Sequence, residues 1–546
     1  MQVHPPNHHT RFLLWLFLII FSFPSFANSS EPSLHFDQIV NTTIAPIAEQ
    51  LSSFVFYKIN LLGYPVPIIV MWLSLAAVFF TLYLSFINLR GLPTAFRLIR
   101  GDYTNPNATG EISHFQAVAT AISGTVGIGN IGGVAVAISL GGPGATFWLV
   151  VAGFLSMSTK LVECTLGVKY RKVNPDGSIS GGPMYYLEHY LKSRHYPKLG
   201  KCLGGFYALA LVVGCLGIGN MFQSNQAYAQ LLAVTGGTES FFSDKGWLFG
   251  LMMAGLVGMV ILGGISAIAK VTAKLVPIMA LLYVVSACVI LTMSVDHLPA
   301  AFALIFSSAF SLESASGGAV GALIVGFQRA VFSNEAGIGS SSIAHSAVQT
   351  DEPASEGLVS LFEPLIDTVF ICSLSALVVI ATAYPTGLIN GDLVGIELTS
   401  AVFAHHITWA PYPLAIAALL FAFSTTIAWS YYGLKGWTYL FGEKPSTKSL
   451  FKLMFCSFAA LGSMIHLDAV LQFSDALVFL IAVPNVLGLY FYAPLVKREV
   501  TSYLRRIDNG EITNYRTQQD CQHVFPRHRK IWTRLTHCPE CRAEQR

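Results

Sequence analysis

The sequence predicts an all-α polytopic membrane protein, and three observations lead to this fold class. Of the 546 residues only 11% are charged, against roughly 25% in a typical soluble protein. Hydrophobic residues make up 53% of the chain, and the mean hydropathy is +0.58. Apolar stretches of about 20 residues, the length that crosses a bilayer as a helix, recur along the whole chain. Soluble multidomain enzymes, disordered proteins and disulfide-rich scaffolds are therefore excluded.

Gaps between charged residues mark the individual spans. The charge-free gaps are 12–30, 59–89, 112–159, 202–238, 246–269, 275–295, 368–391, 398–434 and 476–496. The gap 112–159 is too long for one helix and contains the turn signal Gly141-Gly142-Pro143-Gly144, so it predicts two spans. Weaker spans are predicted at 319–348 and 449–472. The result is eleven spans in one membrane domain, 66–496, in addition to the N-terminal segment.

The N-terminal segment differs from these spans. Arg11 precedes a short apolar run that ends in Ser25-Phe26-Ala27, and small residues three and one before a cut suit signal peptidase. The sequence predicts a signal peptide at 1–27 and an external segment at 28–65. An uncleaved additional helix is the alternative.

The loops predict which side of the membrane each end occupies. Lys and Arg accumulate in loops 90–111, 169–201, 269–274 and 435–448, as expected for the inner side. Loop 349–357 does not follow this pattern, because it should lie on the inner side and yet it is acidic. The tail 497–546 holds 11 Lys and Arg against 6 Asp and Glu. We expect a bacterial cytoplasmic (inner) membrane protein with a cytoplasmic C-terminus, surrounded by lipid and without a nucleic-acid partner. Its oligomeric state stays open, a monomer being compatible with the sequence.

Two spans are predicted to be broken helices. The first contains Gly124-Thr125-Val126-Gly127-Ile128-Gly129-Asn130, with five glycines between positions 124 and 133. Each glycine costs about 1 kcal/mol relative to alanine in a helix. The second contains Ser333-Asn334-Glu335-Ala336-Gly337-Ile338-Gly339, so Gly-Ile-Gly recurs 210 residues downstream. Glycines that merely allow close helix packing are the alternative interpretation.

The position of the breaks predicts an internal repeat. The second broken span is the sixth counted from the first, so each repeat contains five spans, and an odd number inverts the second copy. We therefore expect a 5+5 inverted-repeat transporter core, with repeats at about 112–295 and 317–496 and one preceding helix. Breaks at matching positions indicate the binding site of such a transporter.

These segments resemble the alanine or glycine:cation symporter family. The residues that carry the resemblance are Gly124 to Ile131, Gly133-Val134-Ala135, Gly141 to Gly144, Lys160, Glu163, Ser180-Gly181-Gly182-Pro183-Met184-Tyr185-Tyr186, Phe332 to Gly337, Ile343-Ala344-His345 and Phe423-Ser424-Thr425. The resemblance extends from about residue 66 to 496. It implies a leucine-transporter-like core and sodium-coupled uptake of alanine or glycine by alternating access. A proton-coupled transporter and a polytopic membrane enzyme are the alternatives. An enzyme would need clustered histidines or carboxylates, whereas His114, His345 and His466 are isolated in the sequence.

The site residues follow from the breaks and from polar faces on the third and eighth core spans. Asn220 and Gln223 are three residues apart and should share a helix face, and Trp429 follows Thr425 by one turn. Expected substrate-binding residues are Thr125, Val126, Gly127, Gly129, Asn130, Asn220, Gln223, Asn334, Gly337 and Trp429. The Val126 carbonyl and the hydroxyls of Ser424 and Thr425 should bind Na⁺, with the Thr426 hydroxyl as the reserve candidate. Interhelical hydrogen bonding is the alternative role for these polar residues.

Charged residues inside spans are treated as candidate gating or coupling groups. Lys160 and Glu163 are three residues apart and predict an ion pair. Glu363 and Asp367 are four apart; a satisfied polar face is the favoured interpretation, and a shared proton or cation is the alternative. Glu335 could neutralise a cation or cap a half-helix, and Arg329 is a candidate gate.

The C-terminal tail carries a separate candidate metal site. Cys521, His523, Cys538 and Cys541 form two close pairs of soft ligands, which is the ligand type of a tetrahedral zinc site. A zinc ion there would be structural or regulatory and separate from transport.

Overall fold

The computed structural model describes residues 46, 48–61, 64–105, 107–311, 318–465 and 467–515. The predicted signal peptide 1–27, most of the segment 28–65, His466 and the proposed zinc ligands Cys521, His523, Cys538 and Cys541 lie outside the described residues. Signal cleavage and zinc binding therefore stay predictions.

Helices dominate the described chain and fall into two sets of five spans after one preceding helix, α1 (Ile68–Tyr83). The first set comprises α2 (His114–Thr125), α3 (Gly132–Gly141), α4 (Gly144–Lys169), α5 (Pro197–Thr235), α6 (Gly246–Ile261) and α7 (Gly264–Met293). The second comprises α8 (Gly318–Asn334), α9 (Ser340–His345), α10 (Pro353–Thr386), α11 (Pro411–Phe441), α12 (Pro445–Gly462) and α13 (Leu467–Asp508). The pairs α2/α3 and α8/α9 are the broken first and sixth core helices, so the predicted inverted-repeat fold is confirmed.

Length and composition agree with a membrane location. Six described helices are long and apolar enough to cross a bilayer, and α2 with α3 passes the same criterion as one span bent by 61°. The shorter α1 and α6 are also apolar. Many large apolar side chains on α6 and α7 point outward, among them Leu251, Leu281 and Val285, as expected of surfaces that face lipid.

Short elements connect the spans. Two antiparallel hairpins pair β1 (Lys58–Leu61) with β2 (Tyr64–Pro67) and β3 (Lys172–Val173) with β4 (Ile179–Ser180). Further helices are Ile87–Arg90, Leu92–Ile99, Pro183–Ser193, Leu298–Phe310 and Gly395–His406, and 3-10 turns are Gly237–Glu239, Val295–His297 and Leu388–Asn390.

Two predicted span boundaries were wrong, whereas the preceding helix begins at Ile68, close to the expected start at 66, after the hairpin β1–β2. The fourth and fifth core spans are connected at Leu262 and Gly263, so Lys270 and Lys274 lie within α7 and not in a loop. The gap 398–434 holds two helices, and the membrane helix starts at Pro411, which suits the first helical position.

Candidate functional site

The first break is a short stretch of extended and 3-10 backbone between α2 and α3. α2 ends at Thr125, Val126 and Gly127 are extended, and a 3-10 turn spans Ile128–Asn130. The Gly127 amide donates to Asn130 Oδ1 at 2.9 Å, and the Ile128 amide donates to Gln223 Oε1 at 3.3 Å. Side chains thus satisfy backbone donors that the interrupted helix leaves free, as burial at membrane depth requires.

Asn130 ties this break to the second repeat. Its side-chain amide donates to Asp367 Oδ1 at 2.5 Å on α10 and to Ser333 Oγ at 3.2 Å on α8. Asp367 also accepts hydrogen bonds from the hydroxyls of Ser333 and Thr368, both at 2.6 Å. Asn130 therefore joins the two repeats at the centre of the protein.

Helix α11 meets the first break through reciprocal hydrogen bonds. The Ser123 hydroxyl donates to the Ser424 carbonyl at 2.7 Å, and the Thr425 hydroxyl donates to the Ser123 carbonyl at 2.9 Å. The Ser424 hydroxyl instead donates to the Phe421 carbonyl of its own helix at 3.0 Å. Of the two hydroxyls predicted to face the break, Thr425 does so directly. Ser123 was missed, although its position beside Gly124 in the glycine-rich run was a usable signal.

Gly127 allows this close approach. A β-carbon at position 127 would lie 2.8 Å from Thr425 Oγ1 and 3.1 Å from Gln223 Oε1, too near for either atom. At Gly129 a β-carbon would lie 3.4 Å from the Phe332 ring, which is ordinary contact. The two glycines of the motif therefore face different surroundings.

Trp429 contacts both breaks. Its indole N–H donates to the Gly124 carbonyl at 3.2 Å and to Glu335 Oε1 at 2.9 Å. The ring lies against a π-helical turn of α5, Gly217–Met221, where a β-carbon on Gly219 would be 2.0 Å from Trp429 Cγ. The indole is fully buried, as expected of a wall of the central site.

The second break lies between α8 and α9 and is held by charged and amide side chains. Glu335 has a positive φ of 58° and accepts a hydrogen bond from the hydroxyl of Ser340, the first residue of α9. The Gly337 amide donates to Glu163 Oε1 at 2.8 Å, and Asn485 donates to the Gly337 carbonyl at 2.8 Å. Asn485 also donates to Glu163 Oε1 at 2.7 Å. Glu335 thus contacts both the start of α9 and Trp429.

Three predicted substrate residues do not face the first break. Asn220 donates to the Phe455 carbonyl on α12 at 2.7 Å, because the π-helical turn changes the rotation per residue and separates it from Gln223. Gly337 faces α1 and α13, where Leu73 and Val486 would contact an added β-carbon. Asn334 donates to Thr368 at 3.1 Å and accepts from the Ala336 amide, which places it in the interface between α8 and α10.

The predicted ion pair of Lys160 with Glu163 was also wrong. Lys160 does not pair with Glu163; its ammonium lies 3.4 Å from Glu363 Oε2 and donates to Ser341 at 2.6 Å. Glu363 and Asp367 do not share a site, because Glu363 contacts Lys160 and His345 while Asp367 contacts Asn130. A π-helical stretch, Leu365–Cys372, begins between the two acids and turns them apart.

The histidines His114 and His345 are not isolated in space, contrary to the sequence-based expectation. Both contact the carboxylate of Glu356, one at each oxygen. Scattered histidines therefore do not exclude an enzyme in this protein, because two of them share a carboxylate in the folded chain.

Contacts on both sides seal the centre. Thr125 and Gln223 are 5% and 3% exposed. On one side Arg329 of α8 pairs with Asp475 of α13, and Gln328 donates to the same carboxylate at 3.2 Å. The opposite side of the protein, where α13 ends at Asp508, is the C-terminal face. There Arg171 donates to four carbonyl oxygens at 2.6–2.8 Å, those of Ser346, Val348, Thr109 and Thr350.

Comparisons with known proteins agree with this architecture. A profile of the sodium:alanine symporter family matches residues 49–517. The sodium/alanine symporter AgcS of Methanococcus maripaludis is 38% identical over 441 residues, 80% of this chain and 94% of that protein. The probable sodium/glutamine symporter GlnT of Bacillus subtilis is 32% identical over 447 residues, 81% and 89% of the two chains.

A solved structure supports the fold. The crystal structure of MhsT in complex with L-phenylalanine superposes with a TM-score of 0.52 at 15% identity, covering 72% of this chain and 98% of MhsT. At this identity the likeness is evidence for the leucine-transporter-like fold alone.

Proposed function

The chain belongs to the sodium:alanine symporter family, and from that premise we propose that it carries alanine and glycine into the cell with Na⁺ by alternating access. Family membership makes it a multi-pass membrane transporter of amino acids, with sodium as the co-transported ion, and not an enzyme. The choice of alanine and glycine, the positions of both ligands and the orientation in the membrane are the proposal.

The observation that carries the proposal is the contact of α11 with the first break. The Thr425 hydroxyl lies 2.9 Å from the Ser123 carbonyl oxygen, two residues before α2 ends and the backbone becomes extended at Val126, and both oxygens are neutral. Na⁺ is a hard cation that binds such oxygens. Because these ligands are neutral, the ion can leave without exposing an unpaired negative charge inside the membrane.

The amino acid would bind next to the ion. Its carboxylate would lie against the backbone from Val126 to Asn130, near the N-terminal end of α3, where the helix dipole favours an anion. The 3.3 Å hydrogen bond from the Ile128 amide to Gln223 is long, so this donor could turn to a substrate carboxylate. Phe332 beside Gly129 and Trp429 beside Gly124 limit the space, which favours a small side chain.

The two sealed sides would open in turn. The Arg329–Asp475 pair would separate on the external side, and the Arg171 contacts would break on the C-terminal face, which we assign to the cytoplasm from the Lys and Arg distribution. Insertion in the bacterial inner membrane belongs to the same proposal.

Transport assays test this proposal directly. Purified full-length protein in proteoliposomes should accumulate radiolabelled alanine with an inward sodium gradient and not with an equal choline gradient. Unlabelled glycine should compete, whereas glutamine, the substrate named for one relative, should compete weakly. Equal accumulation in choline would overturn sodium coupling, and accumulation driven by a pH gradient alone would favour the proton-coupled alternative.

A further inference from the structure

A chain of buried titratable side chains lies between the second break and the C-terminal face. His114 Nδ1 contacts Glu356 Oε1, and His345 Nδ1 lies 2.5 Å from Glu356 Oε2. His345 Nε2 lies 2.6 Å from Glu363 Oε1, and Glu363 Oε2 lies 3.4 Å from the Lys160 ammonium. All five side chains are at most 3% exposed. The proposed substrate and sodium sites use none of them.

The geometry around His345 requires an additional proton. A neutral imidazole has one N–H donor and one acceptor nitrogen, and a carboxylate has acceptors alone. Both ring nitrogens of His345 are within hydrogen-bond distance of carboxylate oxygens, on Glu356 and Glu363. Either the imidazole is doubly protonated, or one of the two carboxyl groups carries the proton.

The charge balance gives the same result. With a neutral imidazole, the linked groups Lys160, Glu363, His345 and Glu356 carry one positive and two negative charges, and an unpaired charge at full burial is costly. One proton at His345 brings these four groups to net zero. The sulfur of Cys164 also lies near His345 and Glu363, within 4.8 Å of their ligand atoms, but the ammonium at the same carboxylate opposes a metal cation there.

Other titratable groups surround this network from every packed helix. They are Glu163 and Cys164 on α4, Glu335 between α8 and α9, Tyr432 on α11, Tyr503 on α13, and Arg171 and Asp351 near the C-terminal face. Arg171 donates to the carbonyl of Ser346, the residue after His345.

The network connects four helices, some of which would have to move in the proposed transport cycle. His114 is on α2, Lys160 on α4, His345 on α9, and Glu356 and Glu363 on α10, so the first two spans of each repeat are connected. Helix α9 lies between the second break and the C-terminal face. In the proposed transport cycle, opening this face would displace α9 and so separate His345 from the carboxylates on α10.

We propose that this network is a proton-binding site, in which a proton held at His345 between Glu356 and Glu363 locks the C-terminal face shut and leaves to the water on that side when the face opens. The inference rests on the proposed transport function. Because the closed form binds the proton more tightly than the open form, acid on this side favours closure and alkali favours opening.

Uptake at varied lumen pH tests the proposal. Proteoliposomes in which the C-terminal face points to the lumen are loaded at about pH 6 to about pH 8, the range in which histidines commonly titrate, with the external pH fixed. The sodium-driven uptake rate of the wild type should rise with lumen pH, by at most about tenfold per pH unit for one linked proton. His345→Gln should flatten this rise, while His405→Gln, at an exposed histidine, should keep it.

A second variant and a second measurement keep the test decisive. Glu356→Gln removes one carboxylate partner and should also flatten the profile if His345→Gln fails to fold. The melting temperature of the purified wild-type protein should fall as pH rises. This fall should be missing in His345→Gln and in Glu356→Gln. A flat wild-type uptake profile, or an unchanged slope in either variant, would overturn the proton site. Absent alanine uptake with the melting effect intact would instead contradict the transport proposal.

Discussion

The two broken helices occupy equivalent positions in the two repeats, yet they are built from different chemistry. The backbone of the first break contacts neutral groups, namely the Gln223 amide, the Asn130 amide and the Thr425 hydroxyl through Ser123, while the Asp367 carboxylate binds the Asn130 side chain. The second is held by the carboxylates of Glu163 and Glu335. A neutral break suits the loading and release of a cation and a zwitterion. A charged break suits a hinge whose partners must stay in place. The two breaks therefore occupy matching positions in the repeats without having the same role.

The largest effect should come from crowding the first break. In Gly127→Ala the new methyl group would lie 2.8 Å from Thr425 Oγ1, which displaces the hydroxyl from the Ser123 carbonyl. We expect initial uptake rates to fall by about a hundredfold, since a displacement near 1 Å can cost this much. Gly129→Ala meets the Phe332 ring at 3.4 Å and should stay near the wild-type rate. Equal losses in the two variants would contradict the difference between their surroundings.

The second largest loss of uptake should come from changing Trp429, which contacts both breaks. Trp429→Phe removes the N–H donor to Gly124 and leaves Glu335 with one buried hydrogen bond fewer. A hydrogen bond to a charged group contributes about 1.5–3 kcal/mol, so uptake should fall about ten- to a hundredfold. Trp437→Phe is the matched control, because its indole N–H has no hydrogen-bond partner among the described residues. If both variants lost uptake equally, ring volume would explain the result.

A third prediction separates two adjacent threonines on α11. Thr425→Val removes the hydroxyl next to the first break and should raise the sodium concentration for half-maximal uptake about tenfold, the equivalent of roughly 1.4 kcal/mol. Thr426→Val removes a hydroxyl that donates to the Ala422 carbonyl of its own helix at 2.8 Å, so the sodium curve should not move. Uptake measured against sodium at fixed alanine distinguishes them. An unshifted curve with weakened alanine binding in Thr425→Val would assign this residue to the substrate.

The smallest effect should occur at the second break. Glu163→Gln keeps an oxygen that can accept from the Gly337 amide and from Asn485. A change within about threefold, or roughly 0.7 kcal/mol, is expected in the uptake rate, in the range of a single neutral hydrogen bond. A loss as large as that of Gly127→Ala would show that the charge of Glu163 takes part in transport.

The breaks were predictable because their cause is local. Glycine runs disfavour a helix wherever they occur, so residues 124–133 and 333–339 indicated both breaks before any contact was known. The pairing of Thr425 with the first break also followed, since α11 and α2 are placed by the repeat. Trp429 was expected beside the substrate, and its second contact, with Glu335, was not expected.

Two of the pairings that the structure does not show share a physical reason. Asn220 with Gln223 and Glu363 with Asp367 were paired by ordinary α-helical spacing, and π-helical turns at Gly217–Met221 and Leu365–Cys372 changed the rotation between their faces. No local residue pattern in those segments indicated the extra residue per turn.

The sequence by itself determined the membrane class, the two breaks and the family, because hydropathy, glycine cost and motif order are properties of short segments. The tertiary structure alone decided which charges meet. Lys160 and Glu363 are 203 residues apart, and His114 and Glu356 are 242 apart. A buried charge selects the partner that packing brings within a few ångströms, and helix rotation and repeat inversion set that packing.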